Sequence, residues 1–248
     1  MFSRASELGA IDADAGERCG ISSSKYMQRY HIKFYLEDAV TLAIETREEN
    51  PVQTLAKYFR RVHHGQHCLH RKYSYIRETF HNRMSFAKCV VSFFSQIPSS
   101  ESISLHDHWQ LASLLCPDIL SVHHERAASI LSVSMATPIP RAQVLSYWQL
   151  CFVYEEFLVS LASVFDECQA AASAIASTPD MIAMPQSVDR HTLLWNLRGL
   201  LSEKRWAVGF PSAFAMENVL QAASDSKYSS FRQVVAEMAA SKMVAHAD

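Results

Sequence analysis

The sequence predicts an all-α protein. Six glycines and eight prolines among 248 residues are too few for a chain built from many tight β-turns. Apolar residues recur at spacings of three and four over several runs, the period of one helix face. With 49% apolar and 19% charged residues in 28.0 kDa, the chain carries enough hydrophobic material for a buried core. Lys and Arg number 23 against 25 Asp and Glu, a formal charge of −2, so no global field draws the chain to nucleic acid or to an anionic membrane.

Residues 1–24 hold no apolar stretch of signal-peptide length and carry acidic residues that a mitochondrial presequence avoids, which predicts a flexible, uncleaved arm. A helical hairpin is expected over 25–62. Ile32, Leu36, Val40 and Ile44 form one stripe, with Lys33, Glu37 and Glu45 on other faces. Asn50 is a preferred N-cap and Pro51 a preferred first helical residue, so the first helix stops near Glu48 and a second restarts at once. Val52, Leu55, Ala56 and Phe59 make the second stripe. Two such short helices lack the area to bury both stripes against each other and need a further surface, either another copy or the rest of the chain.

A helical body is expected over 63–172. FAKCVVSFF at 86–94 is too apolar for a surface helix. Leu105, Trp109, Ala112 and Leu115 or Cys116 share a face of a helix that ends at Pro117. Another helix runs from His124 to Val133, and Pro138 and Pro140 end it. Arg141 to Ala172 then reads as one long central helix, apolar at Leu145, Trp148, Phe152, Leu158, Leu161, Ala162 and Phe165. A linker rich in small residues occupies 173–190. A C-terminal helical unit over 191–243 carries Leu193, Leu194, Leu197, Leu200 and Leu201, then Ala213–Ala223, then a final helix from Ser229 to Met243. A short tail, 244–248, closes the chain.

The body suggests degenerate EF-hand-like helix pairs, because MSFAKCVVSFF and YSSFRQVVAEM each run from a Ser-Phe pair into an apolar helix; chance similarity is the competing reading. A calcium loop needs oxygen ligands at positions 1, 3, 5 and 12. Centring position 8 on Ile139 supplies Ser132, Ser134, Ala136 and Gln143, and centring it on Met84 supplies Arg77, Thr79, His81 and Lys88. Neither set holds a carboxylate, so no calcium and no other cofactor is expected.

The search for chemistry finds no phosphate-binding glycine loop, no nucleophile elbow and no His-Glu-x-x-His, so no catalytic residue is assigned and the protein reads as a non-enzyme. Glu155-Glu156 and Asp166-Glu167 point in different directions along a helix and read as surface or packing charges. In HHGQHCLHRK, His63, His67 and His70 lie three or four apart with Cys68 among them. A metal-dependent activity there is the distant alternative, opposed by the neighbouring cations, and no metal is expected. The same stretch contributes to a basic patch, Arg60, Arg61, Arg71 and Lys72 with His63 and His64, that suits an acidic partner segment; ordinary solvated charge is its plainer reading. The six cysteines are scattered, mostly within apolar runs, which predicts a reduced compartment, and no run of roughly 18 apolar residues spans a bilayer.

YLEDAVTLAIETREENPVQTLAKYF resembles the RIIa/DPY-30-like docking and dimerisation module. That resemblance implies two hairpins paired into a four-helix bundle, hence homodimerisation through the N-terminal hairpin, with a groove for an amphipathic helix. Ile32, Leu36, Val40, Ile44, Leu55 and Phe59 are the implied partner-binding residues. A wider resemblance runs from about residue 25 to 240. It is carried by YLEDAV, Gly65-x-His67, Arg71-x-Tyr73-Ser74, His81-Asn82-Arg83-Met84-Ser85-Phe86, LLCPDIL at 114–120, VYEEFLVSLASVFDE at 153–167 and KYSSFRQVVAEMA at 227–239. These are similar to the centriolar satellite-associated tubulin polyglutamylase complex regulators. The resemblance implies a non-enzymatic regulator or scaffold of that complex, with its subunits and microtubules or tubulin as partners. It implies a place in the cytoplasm and cytoskeleton, at the centrosome, centriolar satellites, or basal body and cilium or flagellum. A structural adaptor of cilia or flagella using the same hairpin is the alternative. The sequence departs from the vertebrate members in lacking a long polar C-terminal tail, so the resemblance does not carry over any microtubule contact made by that tail.

Overall fold

A computed structural model of the protein describes residues 22–94, 98, 101–175, 187–204, 207–222 and 228–241. The chain divides into two compact units, Met1–Arg61 and Val62–Asp248. The first contains α1 (Ser23–Arg29), α2 (Ile32–Thr46) and the greater part of α3 (Pro51–His63). Ser22 caps α1 by accepting from the Lys25 N–H, and His31, in the left-handed conformation at φ 48°, separates α1 from α2. Arg47 ends α2 in the same conformation, its N–H donating to the Ala43 carbonyl. The Asn50 side chain then accepts from the Gln53 N–H at 3.0 Å and starts α3, where the Asn-Pro pair predicted a restart.

The second unit continues with α4 (Tyr73–Glu78), α5 (Phe80–Phe94), β1 (Ser102–Ile103), α6 (Leu105–Leu115), α7 (Val122–Leu131), β2 (Ile139–Pro140), α8 (Arg141–Val153) and α9 (Glu155–Ile175). It ends with β3 (Ser187–Asp189), α10 (Arg190–Glu203), α11 (Ala213–Ala222), β4 (Tyr228–Ser230) and α12 (Phe231–Ala240). The protein is therefore all-α, with two-stranded antiparallel ribbons as its sheet among the described residues. Ile103 pairs with Ile139 in one ribbon and Val188 with Ser229 in the other. Every strand runs directly into a helix. Ser104 and Ser230 close capping boxes with Asp107 and Gln233, and Asp189 accepts from the Thr192 N–H, so three of these junctions are fixed by side-chain caps.

Two apolar clusters fill this unit. One gathers Ile76, Phe86, Val90, Phe94, Ala112, Ile119, Trp148 and Phe152, with Trp148 stacked on Phe152 at 5.2 Å. The other joins Leu105, Val144, Leu158, Leu161 and Phe165 to Leu193, Leu197, Met216, Leu220, Val234 and Met238, so the C-terminal helices share a core with α6–α9.

Several expectations are corrected. Arg141 to Ala172 is two helices meeting at 85°, with Tyr154 between them. No glycine or proline marks the break, and its cause is tertiary: Arg77 and Arg83 hold Glu155 and Glu156, the first two residues of α9. Met84 lies inside α5, so the loop centred on it does not exist. For the same reason MSFAKCVVSFF, a helix interior, does not correspond to YSSFRQVVAEM, which spans β4 and α12. The helix expected over 124–133 runs from Val122 to Leu131 because Ser132 turns left-handed at φ 58°. The last helix begins at Phe231 and ends at Ala240. The arm to residue 21, residues 176–186 of the linker and the tail lie outside the described residues. Among those described, no single helix is long and apolar enough to cross a membrane.

Candidate docking surface

Among the described residues of the first unit the buried side chains are Tyr35, Ala39 and Tyr58, and the Tyr58 hydroxyl donates to Asp38 at 2.7 Å, linking α2 to α3. The periodic stripe lies elsewhere. Leu36, Val40 and Ile44, at i, i+4 and i+8 of α2, are exposed, Ile44 to 67%; Val52 and Phe59 of α3 are exposed as well, Val52 to 74%. Ile32 and Leu55 are half-buried. Of the six residues predicted for partner binding, four are thus open to solvent, and Val52 joins them. A run of solvent-facing branched side chains along about 12 Å of helix is an unusual cost for a surface that stays bare. The α2–α3 turn is ordered by Glu48, which accepts from the Thr54 hydroxyl at 2.7 Å and pairs with Lys57 at 3.4 Å. These contacts, the Thr54 hydrogen bond foremost, hold the Glu48 carboxyl below its ordinary range.

The basic residues do not form one patch within one unit. Arg60 and Arg61 lie on α3 in the first unit, whereas Arg71 and Lys72 lie in the second, where the Arg71 guanidinium stacks 3.9 Å from the centre of the Tyr75 ring and Lys72 precedes α4. The histidines separate too. His67 is buried and bonds Asn82 at 2.8 Å, while His63 and His70 are exposed. Among the described residues no three His, Cys, Asp or Glu side chains gather as a set able to hold a metal ion.

The motif residues around this turn instead build a knot. Gly65 sits at φ +67° with the Ser85 hydroxyl 3.2 Å from where a Cβ would lie, so the turn crosses α5 at a point that admits only glycine without strain. Asn82 donates to the Tyr75 carbonyl at 2.8 Å, and His81 bonds the Val62 carbonyl at 3.0 Å. Arg83, buried, donates to the carbonyls of Arg77 and Val153 and pairs with Glu156 at 2.6 Å. Glu155 pairs with Arg77 at 3.1 Å. The adjacent carboxylates therefore serve packing, each held by its own arginine.

A second buried polar group was not predicted. His108 and His124 share a hydrogen bond of 2.8 Å, and His123 bonds the Tyr73 hydroxyl at 2.8 Å, all against Trp148 and Phe152. Burial holds these imidazoles well below their ordinary value, to about 3 for His108, about 4 for His123 and about 2 for His124. Their neutral rings act as aromatic core. The signal available was position alone: His108 and His124 fall in phase with Leu105 and Ala127 on the buried faces of α6 and α7.

Similarity to known proteins includes the exposed stripe and extends well beyond it. The family model described as the CSTPP1 N-terminal domain matches residues 20–65, the span of the hairpin. The Danio rerio protein named centriolar satellite-associated tubulin polyglutamylase complex regulator 1 is 30% identical over 178 residues, which cover 69% of this chain and 52% of that one. The chain is similar to this family. The Homo sapiens and Mus musculus proteins of the same name are 28% and 29% identical, with the same coverage. The chain spans about half the length of the curated relatives it matches. No solved structure matches it significantly.

Proposed function

We propose that the chain is a non-enzymatic regulator and scaffold of the tubulin polyglutamylase complex, acting at centriolar satellites and at the base of cilia or flagella. The observation that carries this reading is the apolar stripe left exposed on α2 and α3 within the segment matched by the family's N-terminal domain. A regulator without chemistry of its own works by holding partners, and an apolar face with flanking cations suits that task. The stripe supplies affinity, while Arg60 and Arg61 supply attraction to acidic tubulin segments. Purified polyglutamylase complex is expected to bind the wild-type chain and to bind Leu36→Asp plus Ile44→Asp at least about tenfold more weakly, because each change puts a carboxylate into the apolar contact. Both positions are exposed, so the circular dichroism spectrum should not change; wild-type affinity in the double variant would remove the hairpin from the mechanism.

Pairing of two hairpins belongs to the same reading, since one stripe is the simplest complement to another. Light scattering is expected to give twice the 28.0 kDa chain mass for wild type and a single chain mass for Ile44→Asp. A wild-type monomer at micromolar concentration would assign the stripe to a different protein.

A further inference from the structure

The two ribbons of the second unit repeat one another in register. In each, the residue before a helix faces the residue two before a capping serine: Pro140 faces Ser102, with Ser104 the cap, and Asp189 faces Tyr228, with Ser230 the cap. The repeat extends into the helices at fixed intervals. Val90 and Phe94 of α5 and His108 and Ala112 of α6 are buried, and so, 126 residues on, are Met216 and Leu220 of α11 and Val234 and Met238 of α12. Val144, Trp148 and Phe152 of α8 are buried, and so, 49 residues on, are Leu193, Leu197 and Leu201 of α10. Each ribbon therefore joins two helix–strand–helix units, the plan of paired EF-hands.

The register also sets the loop positions. Ile103 pairs with Ile139 and Val188 with Ser229. With these four at position 8, position 12, where calcium takes a two-oxygen carboxylate, falls on Asp107, Gln143, Thr192 and Gln233. One of the four is acidic, and it is engaged by its own chain: the Asp107 carboxylate accepts from the Ser104 N–H and hydroxyl to close a capping box. Gln233 accepts from the Ser230 N–H in the same way.

A calcium ion in such a unit fastens the end of one helix to the start of the next, and here arginine side chains make that link. Arg141, directly after β2, donates through its guanidinium to the Phe94 carbonyl at the end of α5, while its N–H donates to the Glu101 carbonyl at 3.3 Å. Arg190, directly after β3, donates to the Leu220 carbonyl in the last turn of α11 at 2.7 Å, to the Ser229 hydroxyl, and to the Glu237 carboxylate on α12. Phe94 and Leu220 are equivalent positions, each eight residues before the strand residue, Ser102 or Tyr228, that opens its ribbon. Positive charge is favoured at a helix C-terminus, and a guanidinium keeps its charge when buried.

We propose that the second unit is two EF-hand-like lobes locked by the chain's own cations, Arg141 in the first and Arg190 in the second taking the place of a bound metal ion across each ribbon. The lobes are then held in one arrangement at any calcium concentration, whereas a calcium sensor opens when its ion binds.

Hydrogen exchange on the full-length chain, read by mass spectrometry, tests the two ties separately. Arg141→Met is expected to speed exchange at least about tenfold at the end of α5 and in β1 and β2 while leaving α11 and α12 unchanged, and Arg190→Met to do the reverse. Arg141→Lys and Arg190→Lys keep the charge and are expected to restore part of the protection, and they decide the outcome if a methionine variant does not fold. Calcium at about 1 mM is expected to give wild type neither a heat of binding nor a change in exchange. Unchanged exchange at the two helix ends in the methionine variants overturns the ties, and faster exchange spread evenly over both lobes overturns their separate locking. Lysine variants as poorly protected as the methionine ones, or as unstable, overturn the role of charge. Calcium binding by wild type overturns the replacement of metal by arginine.

Discussion

Lowering the pH from 7 to 5 is expected to remove about 6 kcal/mol of stability, a large part of what a domain of this size ordinarily has. The groups responsible are His108, His123 and His124, buried against Trp148 and Phe152 and held below their ordinary value by loss of water. In the fold their pKa values lie at about 3, about 4 and about 2, whereas in the unfolded chain they return to the ordinary imidazole value of 6.5. Between those limits the unfolded state binds more protons than the native state. Stability is therefore complete above about pH 7 and falls as pH drops through 6.5. Each histidine contributes about 2 kcal/mol over this interval, since one pH unit well below the unfolded pKa is worth about 1.4 kcal/mol. The effect is separable from acid loss at carboxylates. Asp107 and Asp118 are held below the usual carboxylate range by hydrogen bonds from Ser104 and from the Tyr73 N–H, so their contribution disappears only at lower pH. Urea unfolding at pH 7, 6 and 5 measures it, and equal midpoints at pH 7 and 5 would mean that the imidazoles take up protons inside the fold.

The parts of this structure that were legible in the sequence are those where a local rule and the tertiary fold agree. Asn50-Pro51 starts α3, and Leu193, Leu197 and Leu201 turn inward at helical spacing because nothing else competes for that face. The hairpin stripe was legible as a pattern, but periodicity does not say what covers a face, and inside the unit Tyr35, Ala39 and Tyr58 are buried instead. The strand pairs are two or three residues long, below the length at which alternation can be read. His63, His67 and His70 share a spacing but not an environment, since Gly65 turns the chain between the first and second. The break at Tyr154 left no local signal because it is imposed by arginines of α4 and α5.

That imposition makes Arg83→Met the substitution with the largest expected cost, about 3 kcal/mol. The guanidinium reaches the carbonyl of Arg77 near the end of α4 at 2.7 Å, the carbonyl of Val153 at the end of α8 at 3.3 Å, and the carboxylate of Glu156 in the first turn of α9 at 2.6 Å. It thus satisfies carbonyls at two helix C-termini, where positive charge is favoured, and fixes the 85° corner between α8 and α9. Methionine fills much of the volume but leaves those carbonyls dry. Arg83→Lys is expected to recover less than half of the loss, because one ammonium lacks the planar fork that spans three acceptors. Glu156→Gln should cost under about 1 kcal/mol, since that side chain is half exposed and water replaces the pair. The ordering Met, then Lys, then Gln is read from denaturant midpoints at constant slope. If Arg83→Lys matched wild type, a single charge at this corner would suffice and the fork geometry would have no part in holding the bend.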